Sequence, residues 1–201
     1  MLVKPRLAVP LICLVVCLAL ASCASLPPSN RDNLCAVFVE QDGWYPDAQK
    51  AAQKWGIPVA VIMAIMHQES RFVADAKPPR TWLLGIVPWF RPSSAYGYAQ
   101  AKDETWDVYL HKAGSWWSDR DDFADAADFI GWYCHISHAK LGIVANDAKN
   151  LYLAYHEGHR GFQQKTHVRS VWLRRVADKV ALRARYFQKQ LSECKMTASN
   201  Q

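Results

Sequence analysis

The chain has 201 residues and a mass of 22.8 kDa, a length that suits one globular domain. Hydrophobic residues make up 51% and charged residues 21%, which excludes a wholly disordered chain. The net charge is +6, two of these charges being Lys4 and Arg6; much of the remainder lies in Arg169–Lys189, which is mildly basic and not the dense stripe of a nucleic-acid binder.

Lys4 and Arg6 precede the apolar run Leu7 to Leu20, and Leu20-Ala21-Ser22-Cys23 follows. A positive start, an apolar core and a small-residue cleavage site describe a secretory signal over residues 1–22. No other stretch is long enough to raise the question of a membrane span, so a multipass membrane protein is excluded. Small residues set directly before Cys23 resemble the signal of bacterial lipoproteins. That resemblance implies cleavage before Cys23 and lipid on its sulfur and amine. Several acyl chains together hold a protein stably on a membrane, where one alone is marginal. Ala24 after the cysteine, where retention would call for Asp, implies the periplasmic face of the bacterial outer membrane. An ordinary secretory signal or an uncleaved anchor are the alternatives. Pro27, Pro28, Ser29 and Asn30 read as a tether, so residues 23–40 are assigned to the lipidated cysteine and tether, 41–194 to the domain and 195–201 to a tail.

Cys13 and Cys17 fall in the signal, which leaves Cys35, Cys134 and Cys194. An oxidising compartment allows three single pairings. Cys35–Cys194 is favoured, because the two bracket the domain and Cys134 falls on an apolar helix face.

The domain reads as mainly α. Helices are predicted over Pro46–Trp55, ended by Gly56, and over Pro58–Ser70. Lys77–Pro92 holds four prolines and several aromatics and reads as a loop or small hairpin. Further helices are predicted over Asp103–Lys112, from Ser118 as N-cap toward Ala139, over Asp147–Glu157 with Asn146 as cap and Gly158 as stop, and over Val168–Leu191. No alternating strand series and no glycine-rich phosphate loop is present. One small sheet at most is expected.

Glu69 is the residue that points to chemistry. In a helix it shares a face with Met66, Ile65 and Ile62, at minus three, four and seven, while His67 and Gln68 read as the wet side. A carboxyl at the end of an apolar stripe holds its proton more tightly than a free one, as a general acid must. The alternative is a helix-end carboxylate turned to water or to a backbone amide.

Glu69-Ser70 is followed by Ala95-Tyr96-Gly97-Tyr98-Ala99-Gln100 and then by Leu153-Ala154-Tyr155-His156-Glu157-Gly158. In this order the three segments resemble the signatures of the SLT-type lytic transglycosylases, which share the goose-lysozyme fold. The resemblance spans Trp44 to Arg160 and implies a lysozyme-like helical domain. Three departures mark a divergent branch: Tyr98 and Ala99 stand for Leu and Met, His156 stands for Asn, and Lys77–Pro92 looks inserted. The resemblance implies Glu69 as the single acid and base that cleaves the bond between N-acetylmuramic acid and N-acetylglucosamine, with a 1,6-anhydro product. It implies Tyr155 as the hydroxyl beside that acid. Ser70, Gly97, Tyr98, Gln100, His156 and Glu157 become candidate contacts to the saccharide, although Ser70 also reads as a helix cap and Tyr98 as packing. Glycan strands of peptidoglycan are the implied partner, with the membrane reached through Cys23, a monomeric state and no nucleic acid, metal or organic cofactor.

Three rivals follow from the same residues. Glu157, or one of the aspartates, activating water would make the protein a goose-type hydrolase. A lysozyme-like fold without turnover would be a peptidoglycan-binding lipoprotein. His156-Glu157-Gly158-His159 is similar to a zinc signature, but its spacing is one residue short and Gly158 interrupts the helix.

Overall fold

The computed structural model describes residues 26–194 except 81, 84–86 and 89–90, and within 81–90 only backbone is described. The signal, Cys23 and the tail at 195–201 lie outside the described residues, as do the side chains of the Trp-rich tract. In chain order the elements are α1 (Leu34–Glu40), α2 (Trp44–Trp55), α3 (Val59–Ser70), β1 (Trp82–Leu83), β2 (Val87–Pro88), α4 (Asp103–Lys112), α5 (Phe123–Leu141), α6 (Ala148–Gln163), a 3-10 turn (Thr166–Arg169) and α7 (Val171–Glu193). The two short strands pair antiparallel as one hairpin, with Leu83 opposite Val87. The hairpin occupies the proline-rich segment that the sequence marks as loop or small hairpin.

α3 is the hub. Nine of its twelve residues are buried, so it is apolar on nearly every side. Such a helix belongs in the middle of a fold, and α3 packs on α2, α5, α6 and α7. The expected wet side is therefore wrong for His67, which is 5% exposed. Its ring meets Phe72 and Phe187 edge-on, and Nε2 lies 3.3 Å from Asp32 Oδ1. Burial, the largest influence, and the neighbouring arginine charges push its pKa down to about 4. α7 supplies an ordinary amphipathic wall: Leu173, Val176, Ala177, Val180, Ala184 and Phe187 face inward.

Side-chain caps start α1, α5, α6 and α7, and the last three differ from the sequence expectation. α5 starts at Phe123, where Asp122 accepts from the Asp125 amide, and not at Ser118. Ser118 instead accepts from the Ser115 amide in the preceding loop. α6 is capped by Asp147, one residue past the expected Asn146, through the Asn150 amide. α7 is capped by Ser170 through the Leu173 amide, after the short 3-10 turn. Gly158 (φ 75°, ψ 160°) breaks α6 as expected, but a further helical piece runs on to Gln163.

The stretch assigned to the tether, 23–40, is too long. Residues 34–40 are helix α1, capped by Asn33 and packed on α7 through buried Leu34 and Val37. The Leu34 amide donates to Gln190 Oε1 and Gln190 Nε2 donates to the Asp32 carbonyl, which binds the start of the domain to α7. Cys35 and Cys194 are disulfide-bonded at a Cα separation of 6.2 Å, while Cys134 is a buried free thiol. Replacing Cys35 and Cys194 together by serine is expected to lower the unfolding free energy by about 2–5 kcal/mol, since the bridge closes a long loop. Urea titration checks this, and an unchanged midpoint would contradict it.

Candidate active site

Glu69 stands one residue from the end of α3, and the turn that follows is unusual. Arg71 (φ 54°) and Phe72 (φ 63°) are both left-handed without being glycine. Each such residue costs on the order of 1–3 kcal/mol and needs surrounding structure to hold it. Phe72 is fully buried against Trp44 and His67, which supplies that hold. Ser70 closes the turn: its hydroxyl donates to the Met66 carbonyl (3.2 Å) and accepts from the Phe72 amide (3.2 Å). Ser70 thus ties the helix end to the turn, with Arg71 as the C-cap and the Ser70 oxygen already engaged.

Glu69 is half-buried, so part of it still meets solvent. Burial of its carboxyl is the largest influence and pushes the pKa up to about 7. A hydrogen bond from the Tyr152 hydroxyl acts the other way, favouring the carboxylate. No other charged group among the described residues acts on it.

Tyr152 and Tyr155 approach this carboxyl from α6, and only Tyr152 bonds it. Three residues apart on a helix, they share a face. Their roles differ from the sequence expectation. Tyr152 is the hydroxyl on Glu69, whereas Tyr155 donates to the Ala99 carbonyl at 2.6 Å. Burial first, then the charge of Glu69, pushes both phenols well above their ordinary range, so both remain donors. The sequence reading stopped at the motif and missed Tyr152, although its spacing from Tyr155 was the signal available.

The Gly97–Gln100 segment is a folded platform beneath Tyr155. Gly97 (φ 80°) allows a close approach, but of the chain to itself: a Cβ there would lie 2.0 Å from the Arg120 carbonyl oxygen. The Gln100 amide donates to the carbonyls of Ala76 (2.8 Å) and Gly97 (2.9 Å), so its nitrogen is used inside the loop. Tyr98 cannot stack on a sugar. It is 2% exposed and packs edge-on to Trp44 and Phe123, which themselves stack at 4.0 Å.

His156 is exposed on the next turn of α6, with its ring 6.3 Å from that of Tyr152. Glu157 lies some 200° around the helix from Tyr155, away from Glu69. The Thr166 hydroxyl, which is the largest influence, and His156 both hydrogen-bond its carboxylate and lower its pKa. His156 and His159 form no ligand pair, because Gly158 intervenes in a non-helical conformation and His159 bonds the Ser137 hydroxyl (2.9 Å). A groove of about 760 Å³ lies at the far end of α3 around Pro58, Asn146 and Arg185 and includes none of these residues.

The family model described as a transglycosylase SLT domain matches residues 11–194. The chain belongs to that family. Neither the curated proteins nor the solved structures return a match. An SLT domain is a mainly helical, lysozyme-like fold, and the helices around Glu69 agree with it. Membership makes this a lytic transglycosylase domain whose substrate is peptidoglycan.

The raised Glu69 pKa has a consequence for stability. The native state binds the proton more tightly than the unfolded chain, so stability is lost as pH rises from about 4.5 to about 7. Glu69→Gln removes this dependence. Melting temperatures of the two proteins are expected to converge below pH 4.5, to favour Gln increasingly from there to about pH 7, and to keep a constant difference above it. Parallel curves across that range would contradict the burial of the carboxyl.

Proposed function

We propose that this transglycosylase cleaves the β-1,4 bond between N-acetylmuramic acid and N-acetylglucosamine without water, with Glu69 as the single acid and base. The observation that carries the reading is a buried carboxyl, on a residue that is itself partly exposed, poised near neutral pH with no second carboxylate among the described residues acting on it. Most glycosidases need such a second group, as nucleophile or as base for water. Protonated Glu69 donates to the glycosidic oxygen as the bond to C1 breaks. The muramic 6-hydroxyl oxygen then bonds to C1 and returns its proton to Glu69. Atoms balance without water, and the sugar ends as a 1,6-anhydro ring. Tyr152 holds the carboxyl in place and supports the charged form between the two transfers.

The hydrolytic reading needs Glu157, or one of the aspartates, as base. The Glu157 carboxylate is tied to Thr166 and His156, and no carboxylate among the described residues acts on Glu69, which favours the lyase. A non-catalytic wall-binding role leaves the poised acid unexplained. The lipoprotein-like signal supports an enzyme held by lipid on Cys23 at the periplasmic face of the outer membrane.

The test uses chain beginning after Cys23 on purified sacculi, with released muropeptides read by mass spectrometry. Wild type is expected to yield anhydromuramyl ends and Glu69→Gln none. Reducing ends from wild type would overturn the non-hydrolytic reading. Tyr152→Phe removes the bond that favours the carboxylate, so the alkaline fall in kcat is expected at higher pH than in wild type, with kcat reduced about 10–100-fold. An unshifted alkaline limb would remove Tyr152 from this role.

A further inference from the structure

Trp172 is a large aromatic left in water where the fold has no use for it. It lies in the first turn of α7, off the buried stripe that begins at Leu173, and is 63% exposed. Val168 and Val171 beside it in the chain are exposed as well. The three make an apolar patch at the end of the molecule where α6 gives way to α7.

The patch is continuous with the active site. The Glu69 carboxyl is bonded by Tyr152, the Tyr152 ring is 6.3 Å from His156, and the His156 ring is 5.8 Å from the Trp172 indole, edge-on. A row of groups thus runs outward from the acid along one side of α6. His156 is oriented within it. Its Nδ1 lies 3.2 Å from Glu157 Oε1, and a carboxylate only accepts, so Nδ1 carries the hydrogen. Nε2 is left without a partner among the described residues, and it accepts a hydrogen bond when it carries no proton.

An apolar ring face beside a fixed acceptor matches one chemistry. A pyranose presents an apolar face of C–H groups and a rim of hydroxyl and acetamido donors. A membrane or an apolar protein surface would have no use for the oriented imidazole. We propose that Trp172 and His156 form an outer saccharide subsite, in which the indole stacks on a sugar ring of the glycan strand and His156 Nε2 accepts from its rim. This rests on the glycan reading of Glu69 and adds to it a dependence on strand length: sugars at the cleaved bond do not reach Trp172, and longer strands do.

The test measures binding, not turnover, on the Glu69→Gln chain. Calorimetry compares a peptide-free disaccharide and octasaccharide of alternating N-acetylglucosamine and N-acetylmuramic acid. Adding Trp172→Ala is expected to weaken octasaccharide binding about tenfold and leave the disaccharide unaffected, as the loss of one aromatic contact would. Trp172→Phe should restore much of the loss. The melting temperature should not move, because the side chain is exposed. Equal octasaccharide affinity with and without Trp172, or equal losses for both ligands, would overturn the subsite while leaving the glycan reading intact. If neither protein binds the octasaccharide, the subsite and the glycan reading fall together.

Discussion

The structure depends on one constraint: a carboxyl has to sit at the end of a helix that is otherwise dry. α3 is buried on nearly every side, so any group at its C-terminal end is desolvated unless it turns outward. Glu69 is the compromise. Its carboxyl is buried enough to raise its pKa toward neutrality, and the residue is open enough to be reached. The partial negative charge at a helix C-terminus acts in the same direction as burial. The rest of the fold serves to fix that end. Phe72 anchors a backbone turn that would otherwise relax, and Ser70 closes it. Tyr152 supplies the one bond to the carboxyl, and Tyr155 pins the Gly97–Gln100 loop beneath.

The division of labour between the two tyrosines follows from helix geometry. They share a face of α6, but only one can reach Glu69 while the other reaches the loop. The motif residues Gly97, Tyr98 and Gln100 then act on the fold more than on a ligand. Gly97 admits the Arg120 carbonyl, Tyr98 fills the aromatic core with Trp44 and Phe123, and Gln100 ties its own loop. A short sequence signature thus marks the shape of a site without each residue touching what the site binds.

The fold was largely legible where periodicity and punctuation agreed. The apolar face of α7 is written in its spacing, and Gly56 and Gly158 interrupt the helices where the sequence places them. Glu69 was legible because it breaks the pattern of its own helix. Caps were less so, since Ser118, Asp122, Asn146 and Asp147 are all competent, and tertiary packing decides among them. His67 was misread because a helix buried on all sides has no wet face. Helix α1 was hidden by its proline-rich approach and depends on α7, Gln190 and the disulfide, all far along the chain. Trp172 was invisible, because exposure beside His156 is a property of how α6 and α7 meet.

The central claim is that the Glu69 carboxyl holds its proton near neutral pH. Carbon-13 NMR of chain labelled at glutamate carboxyls, with Glu69→Gln to assign the resonance, reads this directly. The account predicts a midpoint at about pH 7, moving higher in Tyr152→Phe. A midpoint near the ordinary 4.5, unmoved by Tyr152→Phe, would contradict it.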